Sequence, residues 1–295
     1  MTEIRIDSLL PAEMATRAEY LGVRKAEMPA FTMFMLAVLA GAFISLGAIF
    51  STTVAAGGMT VTAVDGTVVY TSGLPYGVTR LLTGLVFCLG LILVVVGGAE
   101  LFTGNNLIVM AWASGKVTGR ALLRNWLIVY SGNFVGSIST AVMMFFTKQY
   151  SFGSDSVGIT ALKIAVSKCE LGFLQAVVLG VLCNALVCLA VWLTFSARTT
   201  LDKIAAIIFP ITAFVAAGFE HSVANMYFIP YALLVKGFDP DYMSRVTDKV
   251  PHLESLTWEA FFINNLIPVT IGNIIGGAVL VAAVYWVVFL RTKRD

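Results

Sequence analysis

The sequence predicts an all-α membrane protein with six transmembrane helices in two inverted three-helix repeats. The 295 residues are 58% hydrophobic and 12% charged, with a mean hydropathy of +0.88. Soluble domains carry about 25% charged residues. Long apolar segments recur along the chain, and two of them carry matching polar interruptions. Composition, segment length and internal repetition therefore favour the same class of fold.

Six segments contain enough consecutive apolar residues, about 20, to cross a bilayer as a helix. They lie at 31–55, 81–113, 122–147, 171–196, 204–235 and 261–290. The second and fifth segments would each be roughly 48 Å long as continuous helices, whereas a hydrocarbon core is roughly 30 Å thick. Each of these two segments is interrupted by polar residues near its middle. We therefore expect helices two and five to be broken.

The two interruptions, GGAELFTGNN (97–106) and AGFEHSVANM (217–226), align with each other. A glycine, a glutamate and an asparagine recur in them: Gly98, Glu100 and Asn105 in the first, and Gly218, Glu220 and Asn225 in the second. The segments at 125–136 and 265–276 share the pattern NxxxVxxGNxxG. Since an odd number of spans separates the copies, the halves have opposite membrane orientations. Interrupted helices at matching positions of such repeats are typical of a substrate site.

We expect one transmembrane domain over 1–295, with the first repeat at 30–147 and the second at 171–291. Residues 1–29 lack the apolar core of a signal peptide. They predict a cytoplasmic amphipathic segment that lies against the membrane or against the protein's own bundle. Lysine and arginine are enriched on the side that carries both termini. The positive-inside rule therefore places both termini in the cytoplasm of a multi-pass protein of the inner (plasma) membrane.

The GxxxG pairs in the shared pattern favour close helix packing. They are Gly132 with Gly136 and Gly272 with Gly276. Packing within the protomer is the main expectation, and a subunit interface is the alternative.

Broken helices in a membrane require protein or a watery cavity to satisfy their free backbone groups. We expect the two breaks to face each other near the midplane, where helix N-termini favour an anion. Polar side chains in the breaks can add hydrogen bonds; they are Thr103, Asn105, Ser222 and Asn225. Glu100 and Glu220 recur in both halves, so they are expected to bind the backbone N–H groups of their own breaks.

His221 has no counterpart in the first half, where Leu101 stands at the matching position. An ionisable residue within a membrane is by default a candidate for function. Histidine also gains and loses a proton near neutral pH. We therefore predict that His221 takes part in substrate passage.

Several classes of protein are not supported by the sequence. No nucleophile–base set, phosphate-binding loop or metal-binding histidine pair occurs, so neither an enzyme nor a cofactor is predicted. The four cysteines form no CxxC motif. A net charge of +2 without a basic block gives no indication of nucleic-acid binding.

The motifs resemble those of the formate/nitrite transporter family over nearly the whole chain. The resemblance lies in GAELFTG (98–104), GFEHSVAN (218–225), GNFVG (132–136), NALVCLAVW (184–192) and IPVTIGNIIGG (267–277). Two further stretches, LLPAEMA (9–15) and NNLIPVTIGNIIGG (264–277), are similar to the formate members in particular.

The resemblance implies a homopentamer with one pore in each protomer and a lipid-filled central hole. It implies passage of formate and related small monovalent anions. Because an unpaired charge is costly in an apolar constriction, we expect a proton from or through His221 to let the anion pass as a neutral acid. By motif, His221 is the central histidine, Thr103 its partner, Asn184 their neighbour, and Lys168 an outer-vestibule lysine; Glu220 and Asn225 complete the expected translocation residues. Six residues match positions that line hydrophobic constrictions: Phe87, Leu91, Leu101, Phe102, Val187 and Phe214. From the sequence alone these six would be core residues, and Lys168 a solvated loop residue.

Three alternatives stay open at this point. A nitrite or hydrosulfide channel would have the same architecture. The predicted protomer is also aquaporin-like, but the paired NPA motifs of a neutral-solute pore do not occur in the sequence. A structural membrane protein without a pore would leave the duplicated breaks unexplained.

Overall fold

The computed structural model describes residues 7–62 and 68–291, which are predominantly helical. The α-helices are α1 Pro11–Ala26, α2 Ala30–Ala55, α3 Tyr76–Gly97, α4 Val109–Ala113, α5 Gly119–Thr147, α6 Ser156–Cys169, α7 Phe173–Ser196, α8 Thr200–Ala217, α9 Ser222–Phe238, α10 Pro240–Val246 and α11 Trp258–Phe289. Helix α11 includes π-helical turns at Phe261–Leu266 and Ile275–Ala283. Single 3-10 turns occur at Gly104–Ile108, Gln149–Ser151, Thr247–Lys249 and Leu253–Ser255.

Among the described residues, six helices are long and apolar enough to cross a membrane: α2, α3, α5, α7, α8 and α11. The predicted six-span fold class is therefore confirmed. A short antiparallel hairpin, β1 Met59–Thr62 with β2 Val68–Ser72, connects α2 to α3. The sequence did not predict this hairpin, which forms the one sheet among the described residues.

The second and fifth spans are broken, as the sequence predicted. Helix α3 ends before Gly98, and α8 ends before Gly218; both glycines have φ of +77°. A glycine in this left-handed conformation is a common helix terminator, since other residues pay a steric cost there. The chain resumes as the 3-10 turn and α4 after the first break, and as α9 after the second.

The GxxxG pairs pack within the protomer, which was the main expectation. Helix α5 lies on α2, and α11 lies on α7. An added Cβ at Gly136 would clash with the carbonyl oxygen of Val38, and one at Gly276 would clash with that of Val181. The glycines therefore bring two pairs of long helices into backbone contact, and this contact holds each repeat together.

An amphipathic helix precedes the three spans of each repeat. Helix α1 buries Met14, Ala15 and Ala18 against the 3-10 turn and α4, so the N-terminal segment lies on the protein's own bundle. Helix α6 packs against α9. The sequence predicted no helix over residues 148–170, and without the family resemblance it predicted a loop position for Lys168. The structure places Lys168 in the last turn of α6.

The glycine contacts give a stability prediction. Gly276→Ala should destabilise the protein by about 1–3 kcal/mol, because overpacking forces α11 away from α7. Thermal unfolding of the purified protein in detergent measures this effect. Gly77→Ala is the matched control, because no described atom lies within 4 Å of a Cβ at that helical position. Equal midpoints for the two variants would contradict the packing account.

Candidate functional site

The first helix break is held by one buried asparagine, Asn133 on α5. Its Oδ1 accepts the backbone N–H of Phe102 at 2.9 Å, and its Nδ2 donates to the carbonyl oxygens of Glu100 at 2.9 Å and Ala37 at 2.8 Å. A primary amide supplies both donor and acceptor. Asn133 therefore replaces the helical partners that the backbone of the break has lost, and it joins α2, α5 and the break.

Asn273 on α11 repeats this arrangement at the second break. Its Oδ1 accepts the N–H of Ser222 at 2.9 Å, and its Nδ2 donates to the carbonyl oxygens of Glu220 at 3.0 Å and Gly180 at 2.8 Å. We had expected the glutamate side chains to bind the backbone N–H groups of the breaks. The asparagines do so instead, because an ionised carboxylate can only accept and could not serve the carbonyl groups.

The two glutamates bind side chains. Glu100 accepts Lys25 Nζ at 2.6 Å and Asn105 Nδ2 at 2.7 Å. Its counterpart Glu220 accepts Lys168 Nζ and Asn225 Nδ2, both at 2.7 Å. Glu220 also accepts Asn265 Nδ2 at 3.2 Å. Each buried carboxylate is thus paired with one cation and at least one amide, which offsets the cost of removing it from water.

A second asparagine closes each of these networks. Asn125 donates to the carbonyl oxygen of Lys25 at 3.0 Å, and Asn265 donates to that of Lys168 at 3.0 Å. Lys25 on α1 is therefore the structural counterpart of Lys168 on α6. The Lys168 side chain is only 14% exposed, so it is not a freely solvated lysine. Sequence reasoning did not select Lys25, since the interrupted spans alone gave no reason to compare α1 with α6.

His221 lies at the start of α9 with both ring nitrogens engaged. Its Nδ1 accepts the N–H of Ala224 at 3.1 Å, and its Nε2 lies 3.0 Å from Thr103 Oγ1. Since Nδ1 is an acceptor, the neutral ring carries its hydrogen on Nε2 and donates it to Thr103. The hydroxyl hydrogen of Thr103 is then available to another acceptor.

Asn184 on α7 lies next to this pair. Its Nδ2 donates to the carbonyl oxygen of Thr103 at 3.3 Å and to that of Asn273 at 2.6 Å. Cys188 Sγ, one helical turn further, also donates to the Thr103 carbonyl, at 3.3 Å. The structure thus brings together Thr103, Asn184 and His221 from three separate segments.

A cavity lies on each side of this central group. The α1-side cavity has a volume of about 330 Å³ and is bordered by Arg17, Lys25, Lys203 and Glu100. The α6-side cavity has a volume of about 190 Å³. Its border includes Arg80, Lys168, Glu220, Asn225 and His221. Thr103 is fully buried and borders neither cavity.

Four of the six predicted constriction residues border the cavities. Leu91 and Leu101 face the α1-side cavity, whereas Phe87 and Phe214 face the α6-side cavity. The two phenylalanine rings meet edge to face with centroids 5.6 Å apart, and Phe214 also stacks on the His221 ring.

The remaining two, Phe102 and Val187, are buried and border neither cavity. The Phe102 ring packs edge to face against Tyr130, with centroids 4.9 Å apart. It therefore lies in the aromatic core beside α5.

Removing an asparagine brace should be costly. Asn133→Ala leaves the Phe102 N–H and the Glu100 carbonyl without partners, and each buried unsatisfied group costs about 1–3 kcal/mol. Asn273→Ala should cost a similar amount. The control is Asn264→Ala, because exposed Asn264 makes one long bond of 3.4 Å to Cys169. The free energy of unfolding in detergent measures all three, and similar losses would contradict the brace.

The chain is similar to known proteins in sequence and in fold. The profile of the formate/nitrite transporter family matches residues 12–287. The chain is 43% identical over 286 residues to the formate channel FocA of Escherichia coli K12, covering 97% of this chain and 96% of that protein. It is 35% identical to the formate channel FocB of the same strain, covering 99% of each.

A solved pentameric formate channel with formate bound matches the fold. Its TM-score is 0.77 with 44% sequence identity, and the match covers 89% of this chain and 98% of that one. The family resemblance drawn from the motifs at the two breaks is thereby confirmed. The chain belongs to the formate/nitrite transporter family and is a multi-pass membrane protein.

Proposed function

We propose that this protein is a channel or transporter for formate and related small monovalent anions, with proton-linked passage through His221. The observation that carries the proposal is the His221–Thr103 pair, buried between two cavities that cationic side chains border. Its similarity to proteins named as formate channels supports formate among the candidate anions.

The apolar layer between the cavities explains why a proton is needed. An anion that leaves the α6-side cavity meets the edge-to-face rings of Phe87 and Phe214. An unpaired charge is expensive in such surroundings. Formic acid is neutral and loses far less hydration there than formate does. Protonation before the constriction therefore lowers the barrier.

Lys168 and the N-terminus of α9 bring the anion to His221. Glu220 lies 2.7 Å from the Lys168 ammonium group and neutralises part of its charge. The ion pair therefore forms a fixed dipole at the cavity wall. The first N–H groups of α9 add partial positive charge beside His221. The anion is thus concentrated beside His221, which borders this cavity. Thr103 borders neither cavity, so the anion must displace the cavity wall at His221 before its oxygen can accept the Thr103 hydroxyl hydrogen.

Proton transfer then runs through Thr103. Nδ1 of His221 first gives up its hydrogen bond from the Ala224 N–H, and it then binds a proton. The imidazolium donates from Nε2 to Thr103 Oγ1, and Thr103 passes its own hydrogen to the anion. The product is a neutral acid, and His221 is left neutral with its hydrogen on Nδ1. Loss of this hydrogen to solvent and uptake of one at Nε2 restore the starting tautomer, in which Nδ1 accepts the Ala224 N–H. Because the imidazolium fraction rises as pH falls, acid on the α6 side favours uptake.

We further propose a homopentamer with one pore per protomer, a lipid-filled central hole, and both termini in the cytoplasm. The assembly rests on similarity to the solved pentameric channel. The orientation rests on the excess of lysine and arginine on the α1 face. The protein has a single transmembrane domain. Lys25 on α1 and Lys168 on α6 occupy matching places, so we assign α1 to the first repeat and α6 to the second, each as an amphipathic helix that precedes the three spans.

The role of His221 is tested by formate uptake into proteoliposomes between about pH 5 and pH 8. Uptake by the wild type should rise as external pH falls, and His221→Phe should lose this dependence. His252→Phe is the matched control, because His252 is the other histidine and lies exposed near Glu170. A pH dependence of His221→Phe equal to that of the wild type would overturn proton linkage. Nitrite, lactate and hydrosulfide in the same assay define selectivity.

A further inference from the structure

Arg80, in the first turns of α3, holds the end of α8 at the second helix break. Its Nε donates to the carbonyl oxygen of Ala216 at 3.0 Å, and its Nη2 donates to that of Val215. These carbonyls belong to the last turn of α8, where helical partners run out. One edge of the guanidinium therefore caps this helix.

The other edge of the same group carries two parallel N–H donors, one on Nη1 and one on Nη2. A guanidinium has five donors in a fixed plane. In the described part of the chain, no acceptor is bound to this second edge, although Arg80 borders the α6-side cavity. Such an edge matches the two oxygens of a carboxylate or another small planar anion.

Arg80 also differs from Lys168, the other cation bordering this cavity, in the partners that its charged group has. Lys168 is paired with Glu220 at 2.7 Å, whereas Arg80 binds neutral carbonyl groups. Among the residues that border the cavity in the described structure, Arg80 thus supplies the positive charge that no carboxylate neutralises.

Arg80 has no counterpart in the second repeat. The alignment that pairs Gly98 with Gly218 pairs Arg80 with Thr200. A Cβ at Gly218 would lie 3.4 Å from Arg80 Nη2, whereas no described atom lies within 4 Å of one at Gly98. The first break therefore lacks an arginine equivalent to Arg80. Arg80 resembles His221 in being unduplicated and in facing the same cavity.

We infer that Arg80 recognises the anion in the α6-side cavity, binding small planar anions with two oxygens before they reach His221. The inference rests on the proposed anion passage and adds a residue that sets affinity and selectivity. The cap on α8 holds the guanidinium in place, so the free edge is preorganised for its ligand.

The test is the concentration dependence of formate uptake from the α6 side of oriented proteoliposomes. Arg80→Gln should raise the half-saturating formate concentration roughly tenfold, the scale of one hydrogen bond to a charged group. The maximal flux should stay within about twofold, because this residue acts before the constriction. Arg124→Gln is the matched control. Arg124 also caps backbone carbonyls, those of Ala26 and Met28, but borders neither cavity.

Arg80→Lys provides a second, gentler variant if Arg80→Gln does not fold. It keeps the charge and loses the parallel N–H pair, so the preference for formate over hydrosulfide, which has a single acceptor atom, should fall. An unchanged half-saturation and an unchanged preference in a folded variant would overturn the inference and leave only the helix cap. Failure of the wild type to carry any formate would instead reject the proposed function, and the inference with it.

Discussion

The fold depends on one constraint: the backbone of two broken helices must find hydrogen-bond partners within a membrane. Asn133 and Asn273 meet it, each with one side-chain acceptor and one donor group aimed at the break. Both side chains are fully buried, so water cannot replace them. The glycines beside them let the long helices approach closely enough for the amides to reach. Close helix packing is thus needed for the hydrogen bonds that satisfy the breaks, and both repeats show this arrangement.

The buried charged residues are also duplicated between the two repeats. Each break carries a glutamate held by a lysine from an amphipathic helix, at 2.6 Å in the first repeat and 2.7 Å in the second. A buried carboxylate without such partners would be strongly destabilising. These networks anchor α1 and α6 over the two cavities. Against this symmetric framework stand the unduplicated groups, His221 and Arg80, which face the same cavity. We therefore infer that the duplicated residues stabilise the fold and that the unduplicated residues, His221 and Arg80, act on the anion.

The sequence predicted the six spans, the two breaks and the isolated histidine, because apolar length and internal repetition depend only on chain order. It did not predict α6, α10 or the β-hairpin. Partners far apart along the chain were also missed: Lys25 and Glu100 are 75 residues apart, and Lys168 and Glu220 are 52 apart. Asn133 and Asn273 were visible within a repeated packing motif. Their task as braces follows only from where the breaks lie in space. Phe102 matches a constriction position and its ring packs against Tyr130 on α5; its place in a constriction stays a prediction.

The central functional claim is that the anion crosses as a neutral acid after receiving a proton by way of His221. Simultaneous recording of formate and proton uptake, in proteoliposomes whose membrane potential is clamped, tests it most directly. The account predicts one proton entering with each formate and a flux that does not depend on voltage, after subtraction of protein-free liposomes. A formate flux that carries current without acidifying the interior would contradict it.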